Sequence, residues 1–137
     1  MRILLGYGSC GIASGAKNVL KALESVFENT EFKVEKVGCN GLCFAEPIVE
    51  IITDDGESIL YGRLNEESAT ALGESAKNGN LMIENRLSED ELNFLNGQKR
   101  IVLSGCGKID PESIDSYIEN GGYEALKKAR VGFRGHN

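Results

Sequence analysis

The sequence predicts an α/β domain followed by a short, mainly helical C-terminal segment. One observation is the spacing of apolar residues over residues 11–27, which recur every three or four positions as in an amphipathic helix. A second is the set of short apolar or alternating stretches at residues 3–5, 32–37 and 48–52, whose lengths and patterns are typical of strands. Together they predict a sheet with helices packed against it.

The order of these elements predicts the arrangement of the domain. Residues 54–57, Asp-Asp-Gly-Glu, form a hairpin signal before a further strand at residues 58–61. Asn65 or Ser68 can cap a helix that runs to about residue 78. The resulting order of strand, helix, strand, strand, strand and helix is that of a thioredoxin-like four-stranded sheet with flanking helices. We expect residues 1–80 to make one domain.

The remaining residues, 81–137, predict a linker and a helical segment. Ser88 and Glu91 have capping-box spacing, which predicts a short helix after Ser88. Residues 101–103 are apolar and are expected to be extended. Asp110, followed by proline, predicts the N-cap of a further helix.

Composition and charge argue against several functions. The chain has 137 residues and a formal net charge of −6, which does not suit a nucleic-acid partner or an anionic membrane surface. No apolar run approaches the roughly 20 residues of a membrane span, and the N-terminus does not have the pattern of a signal peptide. The single histidine, His136, argues against conventional hydrolysis and histidine zinc sites. We expect a cytoplasmic protein, in which four cysteines indicate ligands or free thiols.

Three cysteines lie in two glycine-rich stretches. Cys10 stands between Gly8 and Gly11, and Cys39 and Cys43 stand four apart in the sequence Gly-Cys-Asn-Gly-Leu-Cys. Glycine loses more conformational freedom on folding than other residues, so such stretches indicate backbone that must approach the thiols closely. Thiolates bind soft metals and iron–sulfur clusters, and a 2Fe-2S cluster takes four protein ligands. These stretches offer three.

These residues resemble a known family. Residues 1–80 resemble the thioredoxin-like 2Fe-2S ferredoxin domain, with matches at residues 11–16 and 38–43, at Glu46-Pro47 and at Tyr61. Residues 94–128 resemble the opening segment of the NADH-dehydrogenase-type flavoprotein subunit found in complex I and in NAD-linked hydrogenases and formate dehydrogenases. The two matches follow one another in the order used by that family.

The resemblance implies a ligand set with one departure. The family pattern is Cys-x4-Cys followed by Cys-x3-Cys, in which Cys10 takes the second position and Cys39 and Cys43 the third and fourth. The first position falls on Leu5, which cannot bind iron. A fourth ligand would then be a water, Ser9, Cys106, or a residue of a partner or second copy. Leu5→Cys is expected to complete the pattern.

The resemblance also implies a function and a partner. The chain would be an electron-transfer or assembly module of an NAD(P)H-linked, flavin-containing oxidoreductase and would not be catalytic alone. Its partner would be a larger flavoprotein or hydrogenase or dehydrogenase subunit, or a second copy of the chain. Residues 132–135 resemble the edge of the glycine-rich flavin and nucleotide loop. The rest of that loop is absent, so we expect neither FMN nor NAD on this chain, which would be a shortened subunit or a fragment.

Other interpretations stay open. A second interpretation is a non-redox interaction protein with a degenerate cluster site used for docking to a partner subunit, in which the cysteines are structural thiols. A redox disulfide between Cys10 and either Cys39 or Cys43 is a third alternative. Residues 6–11 match Gly-x-Gly-x-x-Gly, a dinucleotide-binding fingerprint, but no acidic residue follows the next strand at the ribose position.

Overall fold

A mixed four-stranded sheet forms the centre of the structure, a computed structural model that describes residues 1–133. Its strands are β1 (Arg2–Gly6), β2 (Val34–Val37), β3 (Val49–Ile52) and β4 (Ser58–Tyr61), in the order β2-β1-β3-β4. β1 is parallel to β2 and antiparallel to β3, and the predicted hairpin joins β3 to β4. The predicted α/β class is confirmed.

The helix predicted over residues 11–27 is wrong as a single element. It consists of α1 (Ser9–Ala13) and α2 (Ala16–Val26). Gly15 between them has φ +109°, a left-handed conformation that interrupts the helix and that glycine adopts without steric cost. The buried apolar side chains of this stretch belong to α2, whereas the only buried residue of α1 is Gly11.

The main core lies between one face of the sheet and the helices α2 and α3 (Glu66–Lys77). The predicted cap of α3 is confirmed, since Asn65 Oδ1 accepts from the Ser68 N–H and the Ser68 hydroxyl accepts from the Asn65 N–H. The largest fully buried side chains of this part are Tyr61, Ile3, Leu5, Leu23, Ile51 and Leu72. None of the helices within residues 1–133 is long and apolar enough to cross a membrane.

The capping box at α4 (Glu89–Asn96) is present as predicted. Ser88 Oγ accepts from the Glu91 N–H, and the Glu91 carboxylate accepts from the Ser88 N–H at 2.8 Å. Glu91 also bonds the Arg63 guanidinium. Arg63 and the Ser88 donors together lower the pKa of the Glu91 carboxyl to about 2.

Two predictions for the C-terminal segment are wrong. Residues 101–103 form turns, because they pair with no strand and their side chains are exposed. Asp110 does not cap a helix, since its carboxylate accepts from the Glu112 N–H in a local turn. Helix α5 (Ile114–Glu119) begins later, with Ser113 as N-cap, and α6 (Glu124–Phe133) follows. Residues 134 and 135 of the predicted loop edge, and His136, lie outside the described residues.

A second, smaller core joins the residues on either side of position 80. Leu87 is buried with Leu42, Ala45 and Ile48, and the partly buried residues that pack against them are Leu60, Leu92 and Leu95. A backbone hydrogen bond also links the two sides, since the Gly62 N–H donates to the Asn85 carbonyl at 2.8 Å. The predicted division into residues 1–80 and 81–137 stays a prediction.

Candidate functional site

A pair of adjacent thiols occupies the loop between β2 and β3. The Sγ atoms of Cys39 and Cys43 lie 3.6 Å apart. The Gly41 N–H donates to Cys39 Sγ at 3.3 Å, with Gly41 at φ +100°. Two thiolates on one tetrahedral metal with bonds of about 2.3 Å are separated by about 3.8 Å. The pair is therefore spaced to bind one soft metal ion.

The surroundings of Cys39 and of Glu46 disfavour negative charge when no cation is bound. Burial raises the pKa of the Cys39 thiol, the Gly41 N–H opposes that change, and the neighbouring Cys43 and Glu46 raise the pKa further. Burial likewise raises the pKa of the Glu46 carboxyl, although the Ile48 N–H donates to it at 2.9 Å. A bound cation reverses this balance, because its positive charge stabilises thiolate and carboxylate together.

Glu46 was not predicted as part of the site. Its side chain is only 7 % exposed and lies against two glycines of the first stretch. A Cβ on Gly6 would lie 3.1 Å from Glu46 Oε2. A Cβ on Gly11 would lie 3.1 Å from the same oxygen and 2.6 Å from the Gly6 carbonyl oxygen. Glu46 precedes Pro47 through a cis peptide bond.

The glycines that match a dinucleotide fingerprint thus have packing partners within the chain. Gly6 and Gly11 leave room for Glu46, and a Cβ on Gly8 would lie 3.3 Å from Cys39 Cβ. The turn after β1 therefore packs directly on the cysteine loop. This contact explains the glycine spacing by close approach of backbone, which was the sequence-based reason for expecting a site here.

Cys10 lies on α1, two residues after the Gly8 contact with Cys39, and its side chain is exposed. Within residues 1–133, no group of three or more His, Cys, Asp and Glu side chains is arranged to hold a metal ion. The structure therefore brings Cys39 and Cys43 together and leaves Cys10 outside their immediate group. The neighbouring Ser9 is also exposed.

Leu5, at the implied first ligand position, faces the core. Its side chain is fully buried and belongs to the cluster between the sheet and α2 and α3. It pairs with Val49 of β3 in the centre of the sheet. A sulfur at position 5 would lie among the apolar side chains of the core. Residue 5 is therefore not a position from which a side chain could bind metal at the cysteine loop.

The C-terminal segment contacts one side of the cysteine loop and leaves Cys43 exposed. The Arg100 guanidinium donates to the Asn40 carbonyl, and the Gly38 N–H donates to the Ile109 carbonyl at 3.2 Å. Gly107, at φ +77°, approaches so closely that a Cβ would lie 2.7 Å from Asn40 Cβ. Below this contact is a cavity of about 10 Å³, the size of a single water.

Cys106 is placed near the site by this packing. It immediately precedes Gly107 and is half-buried, whereas sequence spacing alone put it in a separate segment. Contacts between positions 60 residues apart, such as Arg100 with Asn40, have no signal in local periodicity. The structure does not place Cys106 in a metal-binding group within the described residues.

Comparison with solved structures identifies the fold. The chain is similar to the wild-type thioredoxin-like 2Fe-2S ferredoxin from Aquifex aeolicus, with 17 % identity, a TM-score of 0.55, and coverage of 64 % of this chain and 96 % of that one. The fold is thioredoxin-like. The resemblance inferred from residues 1–80 is confirmed at the level of fold. No family model matches the chain, and no curated protein does.

Two cysteine-to-serine variants of the Aquifex aeolicus ferredoxin are similar as well. One has 16 % identity and the other 17 %, each with a TM-score of 0.54, and each match covers 64 % of this chain and 98 % of the ferredoxin. The cysteines replaced in the two variants stand four positions apart. Cys39 and Cys43 have the same separation.

Proposed function

We propose that the chain is an electron-transfer module that binds a 2Fe-2S cluster through Cys39 and Cys43, with Cys10 as a third ligand. The observation that carries the proposal is the 3.6 Å separation of the two Sγ atoms on a loop of a thioredoxin-like fold. The matched ferredoxin fold and the shared cysteine spacing support it. This chemistry requires neither histidine nor a catalytic base.

The residues of the chain fit part of such a cluster. When bound, the cluster supplies one-electron transfer. Cys39 and Cys43 are spaced to hold one iron, and the Gly41 N–H donates to Cys39 Sγ. Hydrogen bonds to sulfur and the local charge set the reduction potential. The Gly41 N–H favours the reduced form, and the buried carboxyl of Glu46 opposes it when ionised.

The second iron of the cluster would need two further ligands, and in residues 1–133 no further ligand lies in one group with Cys39 and Cys43. Cys10 lies two residues after Gly8, which contacts Cys39, but its side chain is exposed on α1, and the buried Leu5 cannot serve. The fourth ligand therefore remains open between water, Ser9, Cys106 and a residue of a partner or second copy. An open coordination position admits solvent and oxidant, so we expect the cluster to be labile in air.

We further propose that the module works beside a flavoprotein subunit of an NAD(P)H-linked oxidoreductase. Residues 94–128 resemble the start of such a subunit. Part of this segment contacts the cysteine loop through Arg100 and Ile109. Both the loop and the segment carry exposed apolar side chains: Phe44, next to Cys43, is 62 % exposed, and Val102, two residues after Arg100, is 93 % exposed. A partner bound to these side chains would lie close enough to the cysteine pair for electron transfer.

An interaction protein without a cluster is the second candidate. The burial of Leu5 favours it, because the first ligand position has become part of the core. In that case the cysteine loop and the segment that contacts it would act as a docking surface alone.

Spectroscopy after anaerobic reconstitution with iron and sulfide separates the two candidates. A cluster-bearing protein gains visible absorbance that bleaches upon reduction by dithionite and returns upon reoxidation. Cys39→Ser should lose this response, and Cys106→Ser in parallel decides whether Cys106 is a ligand. A wild-type protein that gains no reducible chromophore would support the interaction protein instead.

A further inference from the structure

We propose that, in the absence of metal, Cys39 and Cys43 carry out thiol–disulfide exchange with small-molecule disulfides of the glutathione class. This activity is separate from cluster binding and does not rest on it. The two sulfurs are already in contact at 3.6 Å, whereas a disulfide requires about 2.05 Å. No other pair of cysteine sulfurs in the described part of the chain lies within hydrogen-bonding distance.

The surroundings assign different roles to the two sulfurs. Cys43 is exposed at the start of a 3-10 helix (Cys43–Ala45), where an incoming disulfide can reach it. Cys39 is half-buried, and the Gly41 N–H holds its sulfur beside Cys43. Gly8 packs against Cys39 Cβ from the other side. Cys43 is therefore the attacking thiol and Cys39 the resolving thiol.

The exchange balances in two steps. The Cys43 thiolate attacks one sulfur of the small disulfide, forming a mixed disulfide and releasing one small thiolate. The Cys39 thiolate then attacks Cys43 Sγ, forming the Cys39–Cys43 bond and releasing the second small thiolate. The protein loses two electrons, the small disulfide gains them, and the two protons of the cysteine thiols end on the two small thiols.

The oxidised pair cannot hold metal, because a disulfide sulfur is not a thiolate ligand. The exchange thus determines when the two ligands are available. Because Cys43 is exposed, small thiols can also reach the Cys39–Cys43 disulfide and reduce it again. The pair would respond to the ratio of small thiol to small disulfide around it.

The test uses the full chain, stripped of metal by a chelator and fully reduced. It is equilibrated anaerobically in buffers of increasing oxidised-to-reduced glutathione ratio, quenched with acid, alkylated and mapped by mass spectrometry. We expect a Cys39–Cys43 link that forms and reverses with the ratio. Cys10 and Cys106 of the same molecules are internal controls, which can take up glutathione where they are accessible but should form no link within the protein.

Two variants test the assigned roles. Cys39→Ser should accumulate glutathione on Cys43, whereas Cys43→Ser should react roughly tenfold more slowly because its remaining sulfur is less accessible. Cys39 and Cys43 that stay alkylated at the most oxidising ratio, or a link to Cys10 or Cys106, would overturn the proposal. A faster reaction of Cys43→Ser would overturn the roles. Because only sulfurs are measured, these results are independent of iron binding.

Discussion

Gly11→Ala is the substitution that tests how the first turn packs on the site. The added methyl would lie 2.6 Å from the Gly6 carbonyl oxygen, which is backbone of β1 and cannot rotate away. Apolar contacts are most favourable at about 3.5–4.0 Å, so α1 must shift by about 1 Å. Overpacking costs about 1–3 kcal/mol, and the rigid neighbour puts this case at the upper end. Alanine recovers about 1 kcal/mol of helix propensity, which leaves a net loss of about 2 kcal/mol.

Urea denaturation of the reduced, metal-free protein measures this loss. A net loss of about 2 kcal/mol lowers the midpoint by about 1 M. Gly38→Ala is the matched control, because the nearest atom to its Cβ is Pro111 Cγ at 4.0 Å. That variant should be unchanged or more stable by about 0.4–1 kcal/mol, since alanine restricts the unfolded chain. Equal midpoints for Gly11→Ala and Gly38→Ala would refute the packing argument.

Three further outcomes are expected. Arg100→Met removes the donor to the cysteine loop and should speed hydrogen exchange at the Gly38 amide, whereas unchanged exchange would mean that Arg100 does not hold the segment. Glu91 has a lowered pKa of about 2, so its stabilisation is present above its ordinary pKa and is lost as pH falls towards 2. The difference in urea midpoint between wild type and Glu91→Gln should shrink over that range, and a constant difference would contradict it. Gly8→Cys, adjacent to Cys39, should retain iron longer in air than Leu5→Cys, which introduces sulfur into the core.

Local signals in the sequence predicted most of the fold. The strands, the hairpin and the caps at Asn65 and Ser88 depend on residues within a few positions of one another, and all were predicted. The break at Gly15 was missed because the spacing of apolar residues carries no information about a left-handed φ at a single glycine. Residues 101–103 were predicted as extended because their composition suits a strand, but a strand also needs a partner that only the tertiary structure can provide.

The candidate site was predicted only where its residues are close in sequence. The spacing of Cys39 and Cys43 identified the pair, and the structure places their sulfurs in contact. Glu46 was missed because its burial depends on Gly6 and Gly11, which are 40 and 35 positions away along the chain. The glycines in the sequence indicated close packing, but they did not indicate which side chain packs against them.

The iron and inorganic sulfide content of the anaerobically reconstituted protein tests the central claim most directly. The claim is that Cys39 and Cys43 hold a 2Fe-2S cluster. It predicts about two irons and two sulfides per wild-type chain and neither in Cys39→Ser. A wild-type protein that stays free of iron, or a Cys39→Ser variant that binds as much iron and sulfide as wild type, would contradict it.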